Sequence, residues 1–300
     1  MNRTEFIKSG DKIMIKPNGL DYALENEKAY CLKYDRYDGI IYLEEMKNLS
    51  LPKKLYNTSE DSTFINRVVT YFNNTDKLTT GVMLNGIKGT GKTVMAKQIA
   101  IKSKLPIIII DSSLPIRVLN SFFEKISTQT AIIFDEIDKN WDSSELLTWL
   151  DGVTNTSKKL VLFTCNDYSK INDYLKDRCS RIRYVRTFNA LDNERFLKDI
   201  IIDKGFKKGE INELYDFIIN NFALLSIDNI NAFLDEKLMF YDLSNKEILN
   251  DLNINSKKNK PAENNIIFNN VENNKDCDED YNEEDYDEES YDEESEDCEV

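Results

Sequence analysis

"NGIKGTGKTVMAKQIA", residues 85–100, decides the fold. Gly86, Gly91, Lys92 and Thr93 fall in the spacing GxxxxGK[ST], and Lys88, Gly89 and Thr90 fill the loop between them. Glycines let the backbone curl so that successive N–H groups point inward, and the helix that follows aims its positive end at the same place. A loop of this kind cradles phosphate oxygens, with Lys92 reaching the outer phosphates and the Thr93 hydroxyl placed to ligate Mg2+. The flanks agree with this reading. An apolar strand, "GVMLN" (81–85), leads into the loop, and a good helix, "TVMAKQIA" (93–100), leads out.

The next informative stretch is "AIIFDEIDKN" (131–140), an apolar strand that ends in two adjacent acids. Beside a phosphate loop, Asp135 is suited to hold Mg2+ through water and Glu136 to polarise an attacking water. Kinases acting on small molecules and GTPases do not generally place a base there, so hydrolysis is favoured over transfer to a substrate. With no histidine in the chain, imidazole chemistry is excluded and any general base is a carboxylate, lysine or tyrosine.

Working outward, "LPIIIID" (105–111), "TAIIFDE" (130–136) and "KLVLFTCN" (159–166) are continuous apolar runs, as expected of parallel strands covered on both faces. "IRYVRTF" (182–188) is a candidate fifth strand. Helical patterns alternate with them, which predicts a doubly wound α/β domain of the P-loop NTPase kind over 59–188. Ser62 is the expected N-cap of a helix "TFINRVVTYFNN" at its start. Residues 189–251 carry three amphipathic helical patterns and form a predicted helical subdomain. Residues 1–58 comprise a small β-rich module, "DKIMIK", "AYCLKYDRYDG" and "IIYLEE", followed by a linker.

Residues 252–300 differ in kind. The last part repeats "DYNEE", "DYDEE", "SYDEE" and holds 17 of the 54 acidic residues with one lysine. The formal charge of −15 therefore belongs to the tail, because the body is close to neutral. Such a segment has too few apolar groups to offset its ordering entropy and is expected to be disordered. Two readings of it stay open: a solubilising end, or an interaction tail in which Tyr281, Tyr286 and Tyr291 dock a basic partner. The five cysteines form no CxxC pair, and their odd number argues against both a disulfide framework and a zinc site. No apolar run approaches a membrane span and the start has no secretory h-region. The expected location is the cytoplasm, with no membrane partner; the Asn, Lys and Ile bias is compatible with a viral protein in its host cell.

Over residues 60–250 the chain resembles the AAA+ superfamily, and within it the AAA clade. "ELLTWLDGV" (145–153) is similar to the "LLxxLDG" helix of that clade. "LVLFTCND" ends on Asn166 at the sensor-1 position, "LKDRCSRIRYV" places Arg178 and Arg181 three apart like an arginine-finger pair, and residues 189–251 resemble the lid. The resemblance implies ATP and Mg2+ as ligands, Asn166 orienting the water with Glu136, and Arg178 and Arg181 acting in trans. It also implies a homo-oligomeric ring, commonly a hexamer, that remodels a protein or nucleoprotein client.

The chain departs from the family pattern in three places. "GIKGTGK" replaces the usual "GPPGTGK"; Asn229 stands nearest the place of a sensor-2 arginine; and 112–130 holds no Tyr, Trp or Gly, although threading members carry an aromatic-glycine loop there. Phe122 and Phe123 in that interval are expected in the core. Two alternatives remain: a replication-type motor or loader acting on DNA, and a scaffold that binds ATP without significant hydrolysis.

Overall fold

The computed structural model describes residues 6–15, 22–47, 49–111, 114–150, 157–176, 179–189 and 194–257. The expectations for the acidic tail, for Arg178 and for the Asp-Gly end of 145–153 lie outside these residues. Among the described residues nine strands make one sheet: β1 (Phe6–Ser9), β2 (Lys12–Ile15), β3 (Ala29–Asp35), β4 (Ile40–Glu45), β5 (Thr79–Gly86), β6 (Ile107–Ile110), β7 (Thr130–Phe134), β8 (Lys159–Cys165) and β9 (Ile182–Phe188). Their spatial order is β1-β2-β4-β3-β6-β7-β8-β5-β9.

The five strands from β6 to β9 are mutually parallel, as the apolar runs predict. Every residue of β7 and β8 is buried, because helices cover both faces. On one face α1 (Ser59–Asn74) and α2 (Lys92–Ser103) contribute Val68, Phe72, Ala96 and Ile99 to a core with Val82 and Leu162. On the other, α3 (Ile116–Glu124), the one-turn α4 (Ile137–Asn140) and α5 (Ser143–Leu150) bring Phe122, Phe123, Ile137 and Trp149 against Phe134 and Phe163. Phe122 and Phe123 are thus core residues, as expected. Each such side chain contributes about 1.5–3 kcal/mol when fully withdrawn from water.

Helix α1 begins earlier than predicted. Its N-cap is Thr58, not Ser62, because Thr58 and Asp61 form a reciprocal capping box in which each side chain accepts from the other's backbone N–H. The capping box fixes the chain's entry to the helix.

The β-rich N-terminal stretch is present and has a placement the sequence does not show. β3 pairs in parallel with β6, Ala29 opposite Ile107 and Cys31 opposite Ile109, so the N-terminal strands prolong the same sheet. β4, β2 and β1 then add in antiparallel fashion.

After α6 (Asp173–Lys176) and β9 the strands end. Helices α7 (Glu194–Asp203), α8 (Ile211–Asn221), α9 (Ile227–Met239) and α10 (Asn245–Asp251) enclose a separate core that includes Leu197, Ile201, Ile218, Phe222, Phe233 and Leu234. No helix among the described residues is long and apolar enough to cross a membrane.

Candidate nucleotide site

Parallel strands bring their C-terminal ends to one edge, and there the predicted residues meet. The glycine loop leaves β5 with Gly86, Gly89 and Gly91 all at positive φ (127°, 76° and 98°). At Gly86 no side chain is possible, since a Cβ would lie 2.1 Å from the Phe188 carbonyl oxygen of β9. Gly91 is the N-cap of α2 and offers no side-chain acceptor, so the first-turn amides of that helix face the loop without a capping group. The Thr90 hydroxyl donates to the Ile87 carbonyl at 2.6 Å and holds the loop's shape.

Lys92 is buried, and its Nζ donates to the carbonyls of Gly86 (2.8 Å) and Ile87 (2.7 Å). Burial pushes its pKa below the ordinary lysine value. An ammonium folded onto its own loop in this way sits where an anion's charge would be most effective.

β8 lies between β5 and β7, and this order assembles the acids. Thr93 Oγ1 donates to Asp135 Oδ1 at 2.9 Å, and Thr164 Oγ1 of β8 donates to the same oxygen at 2.6 Å. Thr164 also accepts from the backbone N–H of Glu136 at 2.8 Å. That bond helps hold Glu136 at φ 50°, a left-handed conformation that costs a non-glycine residue about 1–3 kcal/mol. Asn166 Nδ2 donates to Glu136 Oε1 at 3.0 Å, and Lys139 Nζ donates to Oε2 at 2.8 Å. These two bonds, Lys139's first, hold the Glu136 carboxyl below the usual glutamate range. Asp138 accepts from the Asn166 backbone N–H at 3.0 Å and steadies the end of β8.

A cleft of about 540 Å³ opens over these groups. Its lining combines the loop, Glu136, Thr164 and Asn166 with apolar side chains of Leu55, Tyr56, Phe196 and Ile227. Tyr56 and Phe196 meet edge to face with centroids 5.9 Å apart. Asn57 and Gln98 pair through their amides on the wall of the cleft. The helical subdomain closes the site directly: the Ile227 N–H at the start of α9 donates to the Gly89 carbonyl at 3.0 Å.

The donors fit Mg2+. A hydroxyl and a carboxylate sharing one edge of the phosphate loop are hard oxygen ligands of the kind that cation uses alongside substrate phosphates and water.

Among the other predicted residues, Arg181 is not in the cleft. It is buried before the N-terminal end of β9 and donates from Nη1 to the Tyr174 carbonyl at 2.8 Å. The length of β9, roughly 20 Å, separates it from the cleft-lining end of that strand. Asn229 does not enter the cleft either, since its side chain donates to the Leu224 carbonyl at 3.1 Å. Asp228 and Asn231 of α9 line the cleft instead. Sequence reasoning missed Thr164, a hydroxyl inside an otherwise apolar strand, which is the signal by which it was findable. It also missed residues 52–58, taken as linker, because nothing in their types signals a binding wall.

Residues 82–187 match the model of the family described as "ATPase family associated with various cellular activities (AAA)". This segment is an AAA domain. Among curated proteins, the ATP-dependent zinc metalloprotease FTSH 7, chloroplastic, of Oryza sativa subsp. japonica is 28% identical over 198 residues, 56% of this chain. The match spans 24% of that relative's length. Among solved structures, a chain described under "Structural Basis for Katanin Self-Assembly" aligns with TM-score 0.47 and 18% identity, over 67% of this chain and 75% of that one. The nine-stranded α/β sheet, the phosphate loop and the acids at the end of β7 all overlap or adjoin the AAA domain. Its family name implies ATP binding and hydrolysis in general terms.

Proposed function

We propose that this chain is a Mg2+-dependent ATPase in which Glu136 activates water, and that it works as a homo-oligomeric ring to remodel a protein or nucleoprotein assembly. The observation that carries the enzymatic part is the convergence on one cleft edge of Lys92, the Thr93–Asp135–Thr164 cluster and the Glu136–Asn166 pair. The loop amides and Lys92 bind and orient the phosphates, and the Tyr56–Phe196 pair in the cleft lining suits a purine ring. Bound Mg2+, held through Thr93 and Asp135, supplies charge neutralisation to the phosphates. Asn166 fixes the Glu136 carboxylate and Thr164 holds the residue's backbone N–H, so that the carboxylate accepts the proton of a water aligned with the terminal phosphate.

Assembly is the reading that accounts for the arginines. Charge building on a terminal phosphate calls for a guanidinium; of this chain's own arginines, Arg186 lines the cleft but is tied to Asp61, and Arg181 lies at the far end of β9. A neighbouring subunit supplying Arg178 and Arg181 meets the need. The charge of the acidic tail suits it to dock a basic partner. The DNA-acting alternative shares this site and differs only in its client.

Turnover of ATP against protein concentration tests the whole reading. Expected are a rate per subunit that rises with concentration, collapses in Arg178→Ala, and falls about 10²-fold or more in Glu136→Gln. A rate that is independent of concentration and unharmed by Arg178→Ala removes the ring, and an unharmed Glu136→Gln leaves only the scaffold alternative. Stimulation by single-stranded DNA selects the nucleic-acid client, and indifference to it favours a protein client.

A further inference from the structure

The carboxylate assigned to water activation is engaged on both oxygens, and the two partners differ in origin. Asn166 follows the end of β8 on the cleft wall, where a residue that aligns water belongs. Lys139 is the third residue of the one-turn helix α4, lies one turn beyond Glu136, and stands outside the cleft wall. Its Nζ is 2.8 Å from Glu136 Oε2, while its backbone N–H donates to the Glu136 carbonyl at 3.0 Å, so the tether is local and short. Both side chains face solvent in part, Lys139 at 47% and Glu136 at 34% exposure, so the ion pair can open without disturbing the core.

We infer that Lys139 is a positioning residue that parks Glu136. With the ammonium attached, Oε2 is drawn toward α4 and away from the space over the phosphate loop, and the carboxylate meets water only when that contact is exchanged. A base needs a lone pair aimed at the proton it takes, within about 2.6–3.2 Å. The Lys139 contact directs one oxygen elsewhere, while Asn166 keeps the other in register with the cleft. The pair is thus a local brake on turnover that leaves nucleotide binding alone. This inference rests on Glu136 being the base, as proposed above.

Steady-state ATP turnover by the full chain, with saturating Mg2+, tests it in Lys139→Ala, Lys139→Arg and Glu136→Gln, each alone, and in the double variant Lys139→Ala/Glu136→Gln. An exposed ion pair is weak, so Lys139→Ala is expected to raise kcat by about two- to fivefold with KM for ATP unchanged. Lys139→Arg keeps the pair and stays at the wild-type kcat. The double variant shows no rise over Glu136→Gln. A Lys139→Ala enzyme with unchanged or reduced kcat, in a series where Glu136→Gln still abolishes turnover, overturns the brake and leaves the base assignment standing. A shift in KM of the same size as the shift in kcat also overturns it, because the lysine would then act on binding. Unimpaired Glu136→Gln overturns the base assignment itself, and the brake with it.

Discussion

The two halves of the sheet are held by different physics. From β6 to β9 the strands are parallel, and the central pair β7 and β8 is buried at every residue, with Phe134 stacked on Phe163 and meeting Trp141 and Trp149 edge to face. From β1 to β4 the strands are mostly antiparallel and bury chiefly one face: Phe6, Ile13, Tyr30, Leu32 and Leu43 point into the core. The opposite face keeps charged groups, among them Lys12, which lies over the Tyr42 ring, and Lys33, which pairs with Asp111. A covered sheet positions a catalytic edge, because its strand ends have no freedom to shift. A half-covered one closes the sheet's flank with less material and less rigidity.

The two halves should differ in three measurable ways. The largest expected effect is in the two-sided half, where Phe134→Ala should lower the unfolding free energy by about 3–5 kcal/mol in denaturant titration. Leu43→Ala in the one-sided half should cost about 2 kcal/mol, the low end for such a truncation, because its surroundings can collapse from the open face. Equal costs would show that β1–β4 are as tightly packed as the centre.

Next in size is the difference in opening. Amide hydrogen exchange should be slowest in β7 and β8 and measurably faster in β1 and β2, which pair only within the antiparallel edge. Uniform protection would mean that the nine strands open as one unit.

The smallest effect is electrostatic. Hydrogen bonds from Lys8 and then Lys28 depress the Glu45 carboxyl below its ordinary value. A depressed carboxylate contributes stability above its unfolded pKa, and that contribution is lost as the pH falls through the lower folded value. Wild type should therefore lose a small increment of Tm on acidification from about pH 4.5 that Glu45→Gln lacks, and salt should erase the difference because the cluster is exposed.

Much of the candidate site was legible in the sequence because its residues are local to strand ends. Gly86 to Thr93, Asp135, Glu136 and Asn166 each end or follow an apolar run, and parallel pairing brings such ends together whatever the details. Thr164 and the wall at 52–58 were not legible. Their roles come from neighbours far along the chain: Thr164 matters because β8 lies between β5 and β7, and Tyr56 because α7 presents Phe196 to it. The capping box at Thr58 overrode the Ser62 expectation because Asp61 returns the hydrogen bond, a reciprocity that Ser62 with Ile65 three residues on does not have.

The sequence by itself determined the α/β core, the phosphate loop and the acids beside it, since hydrophobic period and glycine spacing act over a few residues and need no partner. Tertiary structure alone decided that β3 joins β6, that α9 donates to Gly89, and that Arg181 lies roughly a strand's length from its own cleft. Those facts depend on which strand lies beside which. Strand order follows from the competition of all apolar surfaces for burial and is written in no single stretch of the chain.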